Sequence, residues 1–215
     1  MSQPANIIFD LDGTLIDSSE GVVEAVNYSL LKMGEPPQPP GIIKSFIGFP
    51  LSTMYPHFTK VPLKELYRHF QVKASETVVS STVVLPGVTE TIDQLINQGF
   101  NLSIASTKIR PHIEGIIKKF DWENIFKTYS GGNEVEKVKP DPSIFIMTLD
   151  RMHAEAGETI VVGDTINDVL AAKAVPMRVV AVKSPYSEND DLKNAKPDYY
   201  LDVISRLPEL LRGIK

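Results

Sequence analysis

Short apolar runs alternate with segments of helical periodicity over most of the chain. The run at residues 6–9 ends abruptly in Asp10 and predicts a buried strand. Similar runs predict further strands at residues 100–105, 127–130, 159–162 and 178–182. Apolar residues at helical spacing predict helices at residues 88–98, 109–120, 142–152, 165–174 and 203–211. Because strands that alternate with helices build a parallel sheet covered on both faces, we predict an α/β protein with a Rossmann-like parallel sheet.

One long segment interrupts this alternation directly after the first strand. A helical pattern follows Asp17, and Gly34 together with the prolines at residues 36–40 ends it. Modest helical character then continues to about residue 79 and is clearest at residues 63–72. We interpret this segment as a small helical cap domain at residues 18–82, inserted into a core domain formed by residues 1–17 and 83–215.

Composition and charge narrow the class of protein. The 215 residues are 42% hydrophobic and 23% charged, which is typical of a globular protein. The net charge is -5 and no basic tract is present, so we expect no nucleic-acid partner. No stretch approaches membrane-spanning length and the N-terminus does not resemble a signal peptide, so we expect a cytoplasmic protein without a membrane partner. The absence of cysteine excludes disulfides, thiolate zinc sites and cysteine nucleophiles.

Four loops carry the candidate chemistry, and each has an ordinary structural explanation when taken alone. Asp10 and Asp12 flank a buried position at the end of the first strand, although turns also favour Asp. Ser106 and Thr107 follow the next strand, where they could simply cap a helix. The other two loops contain Lys139 before a helix, and Asp164 followed one helical turn later by Asp168.

The four loops are expected at one edge of the sheet, because open parallel sheets bind ligands beyond the carboxyl ends of their strands. Their order and form resemble the haloacid dehalogenase-like hydrolase family, in its phosphoglycolate phosphatase-like branch, which carries a helical cap after the first strand. The similarity spans essentially the whole chain and is strongest in the four loops. One departure is Ala174-Val175-Pro176, where relatives usually carry a small residue and glycine.

The resemblance implies a role for each residue of these loops. Asp10 would be the nucleophile that forms an aspartyl-phosphate, and Asp12 the general acid and base. Lys139 would neutralise the phosphate and help to place Asp10. The implied phosphate-binding groups are completed by Ser106, Thr107 and the backbone at Leu11. The implied metal ligands are the carboxylates of Asp10, Asp164 and Asp168 and the backbone carbonyl of Asp12.

Charge makes a divalent cation necessary at such a site. Four aspartates that face a phosphate dianion would total roughly -6, which is untenable in a partly dry cleft. A proton on Asp12, one Mg²⁺ and Lys139 would bring the sum to roughly -2. Oxygen ligands suit Mg²⁺, whereas the 4 scattered histidines offer no zinc set, so we expect Mg²⁺ as the cofactor.

The pattern leaves the substrate open. We expect a small phosphorylated metabolite, with 2-phosphoglycolate first because residues 47–51 resemble the substrate-facing cap segment of phosphoglycolate phosphatase-like relatives. A β-phosphoglucomutase-like isomerase, a pyrophosphatase or nucleotidase of the same fold, and a non-catalytic binding module are alternatives. A haloalkanoic acid dehalogenase is not expected, because it would not need an acid at Asp12.

A monomer and a homodimer are both compatible with the sequence. Four basic cap residues could pair with an acidic group of the substrate: Lys44, His57, Arg68 and His69. Solvation explains the presence of each more simply.

Overall fold

The computed structural model describes residues 5–186 and 190–214. The strands are β1 Asn6–Phe9, β2 Ile16–Asp17, β3 Val83–Val84, β4 Asn101–Ser106, β5 Thr128–Gly131, β6 Thr159–Gly163, β7 Arg178–Val182 and β8 Tyr199–Leu201. The helices are α1 Ser19–Lys32, α2 Pro40–Lys44, α3 Leu51–Met54, α4 Leu63–Ser81, α5 Val88–Asn97, α6 Arg110–Lys119, α7 Ser143–Met152, α8 Ile166–Ala174, α9 Asp190–Asn194 and α10 Leu207–Gly213.

Six strands form a parallel sheet in the order β5-β4-β1-β6-β7-β8. The central strand β1 places Phe9 beside Ile104 of β4 on one side and Val162 of β6 on the other. This register brings the carboxyl ends of three neighbouring strands to the same edge of the sheet. The predicted α/β fold is therefore confirmed, and the loops that follow these strands lie next to each other.

The two faces of the sheet are covered by different helices, as the alternation of side chains along a strand requires. Ile7 and Phe9 of β1 pack in a hydrophobic cluster that includes residues of α5, α6 and α10. Ile8, between them, packs in a second cluster with residues of α7 and α8. Helices follow the central strands on opposite faces, which is the arrangement that opens a ligand crevice at the carboxyl edge.

A short antiparallel ribbon leads into and out of the helical segment. Ile16 and Asp17 of β2 pair with Val84 and Val83 of β3, and helices α1 to α4 lie between the two strands in the chain. These helices have hydrophobic clusters of their own. Residues 18–82 are called the helical insert below.

Helix α4 agrees with the helical character predicted up to about residue 79 and ends two residues later, at Ser81. It contacts α1 at Gly21, where a Cβ atom would lie only 2.7 Å from the carbonyl oxygen of Thr77. The Thr77 hydroxyl donates to the carbonyl of Gly21 at 3.1 Å. A glycine on α1 therefore sets the close approach of the two helices.

Three differences from the predicted elements concern the C-terminal part of the chain. The short helix α9 was not predicted. Strand β8 was not predicted, because three residues at a sheet edge leave almost no periodic signal. The predicted helix at residues 203–211 begins with the 3-10 turn Ile204–Arg206, and α10 follows it. In the part of the chain that the structure describes, no helix combines the length and apolar character needed to cross a bilayer.

Candidate active site

Lys139 joins two carboxylates at the end of the central strand. Asp10 follows β1 directly, and its side chain is buried together with those of Lys139 and Asp168. The Lys139 Nζ atom lies 2.6 Å from an oxygen of Asp10 and 2.6 Å from an oxygen of Asp168. The loop before α7 thus places the Lys139 ammonium between two carboxylates, which come from two other loops.

Asp164 completes a group of three buried carboxylates. Asp10, Asp164 and Asp168 each offer an oxygen within 4.8 Å of the others. The Thr14 hydroxyl donates to one oxygen of Asp164 at 3.2 Å, and the Ser184 hydroxyl donates to the other at 2.6 Å. These two hydroxyls fix the carboxylate plane. Hard oxygen donors in this number are suited to a divalent cation such as Mg²⁺.

A capping box at the start of α8 holds Asp168. The backbone N–H and the hydroxyl of Thr165 donate to one carboxylate oxygen of Asp168, at 3.1 and 2.6 Å. The Asp168 N–H donates back to the Thr165 hydroxyl at 3.3 Å. The other Asp168 oxygen is the one that contacts Lys139. Helix capping and placement of Lys139 are therefore done by the same side chain.

Burial sets the electrostatics of this group. It raises the pKa of Asp10 from 3.8 to about 7, although Lys139 acts in the opposite direction. Burial also raises the pKa of Asp164, and the neighbouring charges of Asp10 and Asp168 raise it further. Burial alone would lower the pKa of Lys139, but the two carboxylates beside it raise the value. The group as a whole is short of positive charge.

Asp12 lies in a separate set of contacts next to the group. An oxygen of Asp12 is 3.0 Å from Lys108 Nζ, and the Ser18 hydroxyl donates a short hydrogen bond to its other oxygen. Lys108 also donates to the Ser18 hydroxyl at 3.2 Å. Both side chains of the ion pair are nearly buried, with 7% of Lys108 and 9% of Asp12 exposed. Lys108 therefore compensates the charge of Asp12 rather than that of Asp10.

The predicted phosphate-binding residues are located on the same edge. Ser106 is buried at the end of β4, and its hydroxyl accepts the N–H of Lys108 at 3.2 Å. Leu11 is buried, and its carbonyl accepts the N–H groups of Leu15 and Ile16 in the turn after β1. Thr107 is half-buried and lines a cavity described below.

Sequence reasoning did not assign several residues that hold the site. Thr14 and Lys108 lie inside loops that were already identified, so their position was a usable signal. Ser184 follows β7 by two residues, at the same sheet edge, and its role could have been inferred from the predicted parallel topology. Ser18 opens the helical insert and gave no distinct pattern.

A cavity of about 730 Å³ lies between the helical insert and the carboxyl edge of the sheet. On the core side it is lined by Asp12, Thr107 and Lys108, and on the insert side by residues that include 46–52. The insert and the core are in close contact beside it. A Cβ atom on Gly48 would lie 2.7 Å from the Thr165 side chain.

Comparison with known proteins identifies the family. A model of the haloacid dehalogenase-like hydrolase family matches residues 7–182. The "Probable phosphatase IndB" of Dickeya dadantii is 30% identical over 208 residues, which cover 94% of this chain and 90% of the relative. A phosphoglycolate phosphatase of Psychrobacter arcticus is 27% identical, with 95% of this chain and 94% of the relative covered.

Solved structures agree with this result. The crystal structure of a predicted phosphoglycolate phosphatase from Haemophilus somnus matches with a TM-score of 0.85 at 25% identity, and covers 98% of this chain and 99% of that one. Other matches bear the names of a pyrophosphatase and a β-phosphoglucomutase. The family predicted from the four loops is confirmed: the chain belongs to the haloacid dehalogenase-like hydrolase family and, within it, to the phosphatases.

Proposed function

We propose that this phosphatase hydrolyses a small phosphate monoester with Mg²⁺, through an aspartyl-phosphate on Asp10. One observation carries the proposal. The Asp10 carboxylate is buried at the end of the central strand, within a group of three carboxylates, and Lys139 contacts it at 2.6 Å. A carboxylate that is fixed in this way is suited to act as a nucleophile.

The residues present fit a divalent cation. Asp10, Asp164 and Asp168 bring three carboxylates against the single ammonium of Lys139, and the raised pKa values of Asp10 and Asp164 reflect this shortage of positive charge. Asp10, Asp164 and the backbone carbonyl of Asp12 would hold Mg²⁺, with Asp168 bound directly or through water. When bound, Mg²⁺ supplies positive charge that stabilises the phosphoryl oxygens in the transition state.

The proposed reaction has two half-reactions. An oxygen of Asp10 attacks phosphorus, and the bond from phosphorus to the ester oxygen breaks as Asp12 gives that oxygen its proton. Asp12 then takes a proton from water, whose oxygen attacks phosphorus, and the bond between Asp10 and phosphorus breaks to release phosphate. The position of Asp12 supports its role, because this residue lines the cavity through which a leaving group would depart.

Four further groups would bind the phosphoryl oxygens. Lys139 keeps Asp10 oriented through the contact described above and neutralises the phosphate. The Ser106 hydroxyl, Thr107 and the backbone N–H of Leu11 would donate hydrogen bonds to the phosphoryl oxygens. Their placement at the ends of β1 and β4 supports this assignment.

We also propose that the helical insert, residues 18–82, is a cap on a core formed by residues 1–17 and 83–215. Its position over the cavity and its own hydrophobic clusters support the division. A cap of this kind would exclude water from the aspartyl-phosphate until the leaving group has left.

The chemistry is proposed to be phosphoglycolate phosphatase-like. The names of the relatives support this choice, with a pyrophosphatase among the alternatives. A β-phosphoglucomutase-like isomerase must hold a second phosphate. Among the described residues that line the cavity, the basic ones are Lys108, which is paired with Asp12, and His112. This lining does not favour the isomerase.

The decisive experiment is Asp10→Asn, with the exposed Asp93→Asn as matched control. Both variants are assayed with Mg²⁺ against a panel of phosphate esters, pyrophosphate and nucleotides, and labelled substrate is quenched in acid to trap the aspartyl-phosphate. We expect Asp10→Asn to retain less than about one per cent of the activity and to trap no label, while the control behaves as the wild type. Higher retained activity, or label on a different residue, would overturn the nucleophile assignment.

A further inference from the structure

The cavity beside Asp12 is mostly apolar. Helix α4 presents a stripe at helical spacing to it, and the loop before α3 adds aromatic and aliphatic groups. The large apolar side chains that the insert contributes include Phe46, Phe49, Leu51, Leu63, Tyr67 and Phe70. On the core side the lining adds Ile109, Pro111 and Val138. Its volume of about 730 Å³ is far larger than a two-carbon acid needs.

The described residues that line the cavity include no free cation that could pair with a substrate carboxylate. Among the described residues that line it, Lys108 is held by Asp12 at 3.0 Å. Burial, and then the charge of Lys108, lowers the pKa of His112 to about 4, so this side chain is neutral at neutral pH. The basic insert residues considered from the sequence do not line the cavity, and the structure places Arg68 and His57 at exposed positions.

Part of the apolar lining is not used for packing the insert. Phe49 and Tyr67 are half-buried and line the cavity, but they lie outside the hydrophobic clusters found among the described residues. Their rings therefore face a space that the protein itself does not fill. Apolar walls with a few polar groups at one end are typical of sites that bind small organic ligands.

We propose that the preferred substrate is a phosphate monoester whose alcohol carries an extended alkyl or aryl body, which occupies this cavity. The inference rests on the proposed function and adds the substrate class to it. The phosphate would lie at Asp10, the ester oxygen at Asp12, and the apolar body against Phe49 and Tyr67. A carboxylate on the leaving group, as in 2-phosphoglycolate, would meet apolar walls instead of a free cation.

Straight-chain alkyl phosphates test this directly, because chain length changes the apolar surface while the leaving alcohols remain chemically alike. Each buried methylene is worth about 0.8 kcal/mol, which is about fourfold in kcat/KM. We expect kcat/KM to rise at least about tenfold from ethyl to hexyl phosphate, and hexyl phosphate to exceed 2-phosphoglycolate.

The outcomes separate the two proposals. A smaller rise with chain length, or faster turnover of 2-phosphoglycolate than of hexyl phosphate, would overturn the inference and leave the phosphatase intact. If no ester is hydrolysed with Mg²⁺, the proposed function itself fails.

A pair of variants ties the preference to the cavity. Phe49→Ala should reduce the ratio of kcat/KM for hexyl over ethyl phosphate by about fivefold, and unfolding in urea checks that the variant is still folded. Leu31→Ala is the matched control, since Leu31 is on the insert, 60% exposed and outside the cavity lining. An unchanged ratio in Phe49→Ala, or an equal fall in Leu31→Ala, would contradict the placement of the apolar body.

Discussion

Replacing the proposed nucleophile should make the metal-free protein more stable, although it abolishes activity. Asp10→Asn keeps the shape of the side chain and removes its charge. Lys139 loses an ionised partner but keeps Asp168 at 2.6 Å. Asp10→Asn removes both the cost of burying a negative charge and the attraction of that charge to Lys139. The pKa of Asp10 shows that the cost is larger, because burial raises it from 3.8 to about 7 even with Lys139 beside it. The surroundings therefore oppose the negative charge more than the lysine favours it.

The magnitude follows from linkage. A shift of about three pKa units corresponds to about 4 kcal/mol, which is the cost of ionising Asp10 in the fold. Because the folded-state pKa is raised, the contribution of Asp10 to the free energy of unfolding is fully present below the unfolded pKa of 3.8. This contribution is lost as the pH rises through about 7. The metal-free wild type should therefore weaken over this pH range by up to about 4 kcal/mol from this group alone. In the Asp10→Asn variant the side chain at this position does not ionise, so the free energy of unfolding does not fall for this reason.

The assay is urea unfolding in EDTA at pH 5 and pH 8, with Asp93→Asn as control. At pH 8 we expect Asp10→Asn to be more stable than the wild type by about 2–4 kcal/mol, and the difference should shrink at pH 5. Mg²⁺ should then stabilise the wild type more than the variant, since only the wild type keeps all three carboxylates. A variant that is less stable than the wild type at pH 8 in EDTA would refute the reasoning, because the contact with Lys139 would then outweigh burial.

Three other predictions concern the metal and the helical insert. EDTA should abolish hydrolysis and added Mg²⁺ should restore it, so activity that persists in excess EDTA would exclude a metal-dependent reaction. Ser184→Ala removes the donor at 2.6 Å from Asp164 and should weaken Mg²⁺ about tenfold in an activity titration, whereas an unchanged titration would show that Asp164 needs no such support. Gly48→Ala places a Cβ atom 2.7 Å from the Thr165 side chain and should lower kcat/KM by wedging the insert away from the core, with unfolding in urea as the check on the fold.

The meeting of the four loops at one place could be predicted because it depends on sheet topology. Apolar runs locate the strands, and parallel strands end at a shared edge, so side chains that follow them must meet there. Contacts of Lys139 with Asp10 and Asp168 agree with this expectation, as does the approach of Asp164 to both carboxylates. The chemical roles of these residues remain predictions.

Residues that depend on side-chain geometry were harder to predict. The position of Lys108 two residues after Ser106 indicates that it lies near the site, but it does not show that its ammonium pairs with Asp12 rather than with another carboxylate. The approach of α4 to α1 was equally hard to predict, since nothing in the pattern around Gly21 shows which helix packs against it. In both cases a contact between distant parts of the chain decides the outcome.

The proposed substrate cavity shows why the residue content of a segment does not by itself define specificity. On α4 each residue turns the side chain by about 100°, so neighbours in the sequence face different surroundings. Tyr67 lines the cavity, whereas Arg68, the next residue, is exposed and does not. If the helix were rotated by one residue, Arg68 would line the cavity in place of Tyr67. The cavity would then favour a different class of substrate. The composition of residues 63–71 would be the same in either orientation of the helix. We therefore infer that the packing of α4 against α1, and not the residue content of the segment, determines whether the cavity accepts an apolar or an acidic leaving group.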